Sequence, residues 1–119
     1  MTAEYTTPAR PVALITGGSS GIGFELAKQF ADHHHDLILV ARTAEPLKNA
    51  REFFEARDVR VETITADLSK RNIAQGVYEK VKAIGWDVDV LVNNAGAGVY
   101  GDFVMDTSLQ EELDIIQLN

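Results

Sequence analysis

Val12-Ala-Leu-Ile-Thr16-Gly-Gly-Ser-Ser-Gly-Ile-Gly23 is the stretch on which the reading of this chain turns. Its first five residues form a short continuous apolar run, which suits a strand covered on both faces, as in a parallel sheet. A Gly/Ser cluster ends the run. Beyond it Ile22, Leu26 and Phe30 recur every four residues, which predicts an amphipathic helix to about Asp32. The glycines between strand and helix, Gly17, Gly21 and Gly23, are spaced G-x-x-x-G-x-G. Each has a physical use: a tight turn, backbone approach to a pyrophosphate, and close packing of helix on strand. The helix start offers free N–H groups and a positive dipole end to phosphates, and Ser19 and Ser20 can add hydroxyl donors in the region of a 2′-phosphate beside Arg42. No Gly-Lys-Ser/Thr follows, which sets a P-loop aside.

Outward from this turn the chain repeats the same alternation. Asp36-Leu-Ile-Leu-Val-Ala41 reads as a second buried strand, and Thr43 as the N-cap of a helix with Glu45 and Pro46 in its first turn. That helix presents Leu47, Ala50 and Phe54 on one side. Val59 to Thr65 alternates as a third strand, and a helix from about Ser69 to Ile84 follows with Ile73, Val77, Val81 and Ile84 as its stripe. Val88 to Val92 is a fourth strand ending at Asn93-Asn-Ala-Gly96, and a capping-box pair, Ser108 and Glu111, opens a last helix bearing Leu109, Leu113 and Ile116. Strands alternating with helices of this length predict a Rossmann-type doubly wound parallel sheet in three α/β/α layers, because parallel neighbours need a helical crossover. One domain is expected over residues 11–119, after a polar, flexible lead-in over 1–10. With nothing beyond it the fourth strand would be an exposed apolar edge, so self-association through that strand and the last helix is expected.

Composition narrows the function. Eleven Lys and Arg against 18 Asp and Glu give 11 − 18 = −7 at pH 7, a balance that disfavours nucleic acid or an anionic membrane as principal partner. The absence of Cys excludes disulfides, thiolate nucleophiles and Cys-ligated zinc. Residues 1–10 lack the apolar core of a signal peptide, and no run approaches the ~20 apolar residues that span a bilayer; a cytoplasmic location is the expectation. The end of the second strand then bears on the cofactor. An NAD-binding Rossmann domain places Asp or Glu there, roughly 20 residues past the glycines, for the ribose hydroxyls. This chain has Ala41-Arg42. A carboxylate would repel a 2′-phosphate and a guanidinium can pair with it, so NADP(H) is expected over NAD(H).

Four signals in order, Thr16–Gly23, Ala41-Arg42, Ala66-Asp67-Leu68 and Asn93-Asn-Ala-Gly96, make the chain resemble the short-chain dehydrogenase/reductase family over residues 12–119. The resemblance implies an oxidoreductase that moves a hydride between nicotinamide and a carbonyl or alcohol substrate. It also implies a cofactor role for Gly17, Ser19, Ser20, Gly21, Ile22, Gly23 and Arg42. Asp67 would receive the adenine amino group with Leu68 beside the ring. Asn93 would steady the sheet, Ala95 and Gly96 would line the ribose side, and Asn119 matches the Asn of the catalytic tetrad. Without the family pattern Asp67 would read as a solvated loop acid and Asn119 as an ordinary residue. The family's Ser and Tyr-x-x-x-Lys lie beyond the position of Asn119, so this chain is expected to supply the cofactor-binding half alone. A non-catalytic NADP(H)-binding module is the alternative.

Two further patterns are read as decoys. Tyr78-Glu-Lys-Val-Lys82 spells Tyr-x-x-x-Lys but lies before Asn93, on a helix remote from the carboxyl ends of the strands. His33-His-His35 is read as a solvated turn, since no second ligand set has matching spacing and no metal site is expected. The resemblance also implies that the Tyr100-Gly-Asp loop borders the substrate pocket, which makes Tyr100 and Phe103 candidates for a substrate wall, with local packing of the loop as the alternative.

Overall fold

The computed structural model describes residues 10–68, 70, 73–94 and the backbone of 115–116. Strand β1 (Val12–Thr16) leads into helix α1 (Gly21–Asp32), then β2 (Asp36–Ala41), α2 (Ala44–Glu55), β3 (Val61–Thr65), α3 (Ile73–Ile84), β4 (Val90–Asn93) and the two-residue β5 (Ile115–Ile116). The sheet order is β3-β2-β1-β4-β5, and every pairing is parallel. The expected α/β fold class is therefore found.

All five residues of β1 are buried, because their side chains serve two cores. Val12 and Leu14 join Ile38, Val40, Ile64 and Leu91 under α3, which contributes Ala74, Val77 and Val81. Ala13 and Ile15 join Leu37, Leu39, Val61 and Val92 under α1 and α2. On the second side Leu47, Ala50 and Phe54 of α2 are buried as the periodicity predicts. The rings of Phe24, Phe53 and Phe54 meet at centroid distances of 5.1 to 5.3 Å, tying α1 to α2.

Several details depart from the sequence reading. The buried face of α1 is Gly23, Ala27 and Ala31, one position on from Ile22, Leu26 and Phe30. Small residues let the helix lie close on the sheet, so the larger ones are displaced to its flanks, and Ile22 is 72% exposed. Thr43 holds the N-cap position of α2 but makes no side-chain cap bond. β3 starts at Val61 rather than Val59, because the Arg60 N–H donates to the Asp36 carboxylate instead of a strand. α3 starts at Ile73, after a bend at Lys70, and β4 spans Val90–Asn93 rather than 88–92.

The expected last helix is contradicted at Ile115–Ile116, where the backbone runs as strand and pairs with Leu91 and Val92. Along those residues the outer edge of β4 has a parallel backbone neighbour. Ser108, Leu109, Glu111 and Leu113 lie outside the described residues.

Gly76 sits in an exposed turn of α3, where an added Cβ would meet nothing within 4 Å. Gly76→Ala is expected to stabilise the chain by about 0.5–1 kcal/mol, since alanine removes backbone freedom from the unfolded state. Urea unfolding that shows an unchanged or lower midpoint would contradict this.

Candidate functional site

Parallel strands place all their carboxyl ends on one rim, and the signals singled out in the sequence gather there. Thr16 ends β1, Ala41 ends β2, Thr65 ends β3 and Asn93 ends β4, with Thr16 in register with both Val40 and Asn93.

The turn after β1 is shaped by its glycines. Gly17 has φ +67° and Gly21 φ +59°, a region that suits glycine. The Gly17 N–H donates to the Val40 carbonyl at 2.7 Å, which pins the turn to the next strand. A Cβ on Gly23 would overlap the Gly17 carbonyl oxygen and lie 2.6 Å from Asn94 Nδ2, so only glycine lets α1 close onto the turn. Gly18, not singled out in the sequence, is also tight: a Cβ there would lie 2.8 Å from Leu39 Cδ2.

Above the turn is the start of α1. The Phe24 N–H reaches Ser20 O at 3.2 Å, and a helix start leaves the earlier amides, of Gly21, Ile22 and Gly23, without helical acceptors. Ser20 caps without a side-chain bond, Ser19 is half-buried beside it, and the first turn holds no acidic residue. An anion at this end would meet amides, hydroxyls and the positive end of a 12-residue helix whose own first turn carries no carboxylate.

Arg42 stands exposed in the bend after β2, and among the described residues no hydrogen bond or ion pair engages its guanidinium. The Ala66 N–H donates to Ala41 O at 2.9 Å, which brings the exits of β2 and β3 side by side, with half-buried Asp67 next to Ala66. Leu68 follows, buried at 7% exposure in the core under α3. Ala95, Gly96, Tyr100, Phe103 and Asn119 lie outside the described residues.

The exit of β4 is tied to the exit of β1 by one hydroxyl. Thr16 Oγ1, fully buried, accepts from the Asn94 N–H at 2.9 Å, with Asn93 Oδ1 at 3.3 Å and Val92 O at 3.4 Å as acceptors for its own proton. Thr16 and Asn94 fall inside two of the sequence signals, but neither was given a role of its own there. A Thr closing an apolar strand at the glycine turn was the available signal.

The opposite rim holds the decoys. Trp86, Asp87 and Val88 precede β4, and with Tyr78, Val81, Lys82 and Gly85 they line a cleft of about 360 Å³. The Tyr78–Lys82 pair is thus remote from the glycine turn. A neighbouring cleft of about 510 Å³ is lined by Arg10, Pro11, Val12, Arg60, Gly85, Trp86, Asp87 and Asp89. Arg10, read as the end of a flexible lead-in, is anchored, donating to Asp58 O at 2.7 Å. His33 and His34 form the turn after α1, and among the described residues no group of three His, Cys, Asp or Glu could hold a metal. No helix among them is long and apolar enough to cross a membrane.

Comparison with known proteins agrees with this geometry. A family model described as short chain dehydrogenase matches residues 11–119. A fatty acyl-CoA reductase of Acinetobacter baylyi is 38% identical over 88 residues, covering 74% of this chain and 30% of the relative. A very-long-chain 3-oxoacyl-CoA reductase of Aspergillus fumigatus is 37% identical over 112 residues, covering 90% of this chain and 32% of the relative. Among solved structures, L-sorbose reductase of Gluconobacter frateurii, complexed with NADPH and L-sorbose, superposes with TM-score 0.70 at 37% identity, covering 76% of this chain and 35% of that one. YwfH, an NADPH-dependent reductase involved in bacilysin biosynthesis, has the same fold at TM-score 0.78 and 23% identity, covering 92% of this chain and 54% of that one. The chain spans about a third of the length of these curated relatives.

Proposed function

The chain belongs to the short-chain dehydrogenase family, and on that premise we propose that it binds NADP(H) in preference to NAD(H), as the cofactor-holding part of an oxidoreductase acting on a carbonyl or alcohol substrate. The nicotinamide supplies or accepts the hydride in such a reaction. This chain's residues bind and orient. The amides of Gly21, Ile22 and Gly23 at the start of α1 take the diphosphate, with Ser19 and Ser20 at its edge. Asp67 serves the adenine end beside Arg42. Asn93, bonded to Thr16, keeps β4 in line for the ribose contacts assigned to Ala95 and Gly96. Asn119 is assigned the proton-relay place of the family's tetrad, and the remaining acid/base groups are assigned to sequence that the family carries later.

The preference for the phosphorylated cofactor rests on Arg42, an exposed guanidinium without a partner among the described residues, at the position where a carboxylate would select NAD. The experiment is a titration of NADPH and NADH against the wild-type chain and Arg42→Ala. One lost guanidinium–phosphate contact weakens NADPH by about ten- to a hundred-fold and leaves NADH nearly unchanged. Tighter binding of NADH than NADPH by the wild-type chain would defeat the proposal.

A further inference from the structure

We infer that Arg10 is a strap that holds the turn between α2 and β3 closed against the strand-start rim, and that this turn opens as a local unit when the strap is lost. Three observations converge on it. Arg10 Nη1 donates to the Asp58 carbonyl at 2.7 Å, across 48 positions of sequence. The same nitrogen stands 3.9 Å from the carboxylate of buried Asp36, and Nη2 lies 3.6 Å from that of Asp58. Asp58 has φ +64°, a left-handed conformation that a residue with a Cβ keeps where its surroundings hold it.

The turn has few other ties. α2 ends at Glu55 and β3 begins at Val61, the edge strand of the described sheet, with β2 as its one strand neighbour. The Ala56, Arg57 and Asp58 N–H groups fold back onto α2, donating to the carbonyls of Glu52, Phe54 and Glu55. Val59 is buried in the core under α1 and α2. Among the described residues the polar links from this turn to the sheet run through Arg60, whose N–H donates to the Asp36 carboxylate and whose carbonyl accepts from the Leu37 N–H. Arg10 adds a link from another direction, fastening the chain that leads into β1 to the chain that leads into β3. The Asp58 carboxylate is 97% exposed and screened, so the carbonyl contact carries the strap. The Arg10 side chain is 31% exposed, and water competes for it only in part.

Amide hydrogen exchange in the wild type, Arg10→Ala, Arg10→Lys and Asp58→Asn tests this, because exchange protection reports the free energy of each local opening. In Arg10→Ala the protection of the Arg57, Asp58 and Arg60 amides is expected to fall about ten-fold, the loss of one hydrogen bond from a charged donor. Those amides should stay well below the protection of Leu14 and Leu39 in the central strands, so that the turn opens while the sheet stays closed. Arg10→Lys, a point charge without the planar fork, is expected to fall between wild type and Arg10→Ala. Asp58→Asn keeps the carbonyl acceptor and tolerates the left-handed backbone, and is expected to stay within two-fold of wild type. Turn protection within two-fold of wild type in Arg10→Ala overturns the inference. So does turn protection equal to that of Leu14 and Leu39, which would mean that the turn opens only with the whole chain, or a loss in Asp58→Asn as large as that in Arg10→Ala.

Discussion

Gly23→Ala is expected to leave no measurable NADPH binding and to lower the unfolding midpoint of the chain. The added methyl would overlap the Gly17 carbonyl oxygen and sit 2.7 Å from the carbonyl carbon. These are backbone atoms and cannot rotate aside, so α1 must move off the turn. Overpacking of this kind costs about 1–3 kcal/mol. Binding loses more, because the amides at the start of α1 are displaced from the rim they serve. Neighbouring glycines provide a graded control. Gly21→Ala meets nothing within 4 Å and is penalised only by its φ of +59°, about 1–2 kcal/mol for an L-residue. Gly18→Ala presses on the far end of Leu39, a flexible side chain that can yield, and more mildly on the Ile15 carbonyl oxygen at 3.2 Å. Tryptophan or cofactor fluorescence titrations should rank the variants with Gly23→Ala weakest by a wide margin. NADPH affinity within two-fold of wild type in that variant would show that the close contact of α1 with the turn is irrelevant to binding.

Asp36→Ala should destabilise the chain by about 2–3 kcal/mol while leaving NADPH affinity per folded molecule intact. Asp36 is fully buried at the start of β2. Its carboxylate accepts the Arg60 N–H at 3.0 Å and Arg60 Nε at 2.8 Å, with Arg60 Nη2 at 2.8 Å and Arg10 Nη1 at 3.9 Å as ionic partners. The Arg60 guanidinium also lies 4.5 Å from the centroid of the Trp86 ring. One buried anion therefore gathers Arg10, two residues before β1, Arg60, directly before β3, and through Arg60 the Trp86 ring in the turn before β4. Removing it leaves the Arg60 amide without its acceptor and two cations without their common partner. The Arg60 side chain is 58% exposed and can rehydrate, which places the loss below the 3–5 kcal/mol typical of a fully buried pair. Urea unfolding would read the effect as a lower midpoint at unchanged slope. A midpoint equal to wild type, or a binding defect larger than the stability loss, would refute this assignment to the rim opposite the cofactor.

The two variants contrast because the sheet is parallel. Every strand starts on the Asp36 rim and ends on the Gly23 rim, so the buried Asp36 cluster and the proposed cofactor site lie at opposite ends of the same strands. This explains how a Tyr-x-x-x-Lys pattern can be present at Tyr78 and Lys82 and still lie far from the glycine turn, since α3 runs back toward the strand starts.

Much of this molecule was legible before any coordinates. β1 and β2 fall on the residues expected, the parallel order is the one the alternation of strands and helices demands, and the glycine turn, Arg42 and Asn93 share one rim. These features are local: apolar runs, turn-forming glycines and helical periods are written in consecutive residues, and short connections leave a parallel sheet few ways to assemble. Other features depend on contacts between residues 24 to 78 positions apart, which no local pattern encodes. The buried face of α1 was displaced to Gly23, Ala27 and Ala31 because close approach to the sheet favours small side chains over large ones. Asp36 looked like an ordinary first residue of a strand until Arg10 and Arg60 arrived from elsewhere in the chain. Thr16 and Asn94 became parts of the site only when β4 was laid beside β1, bringing a hydroxyl to an amide across 78 positions of sequence. Ile115–Ile116 paired with β4 rather than continuing the expected helix. The sequence by itself determined the elements and the rim they share; tertiary structure alone decided which side chains meet, because packing distance and strand pairing are properties of the assembled sheet.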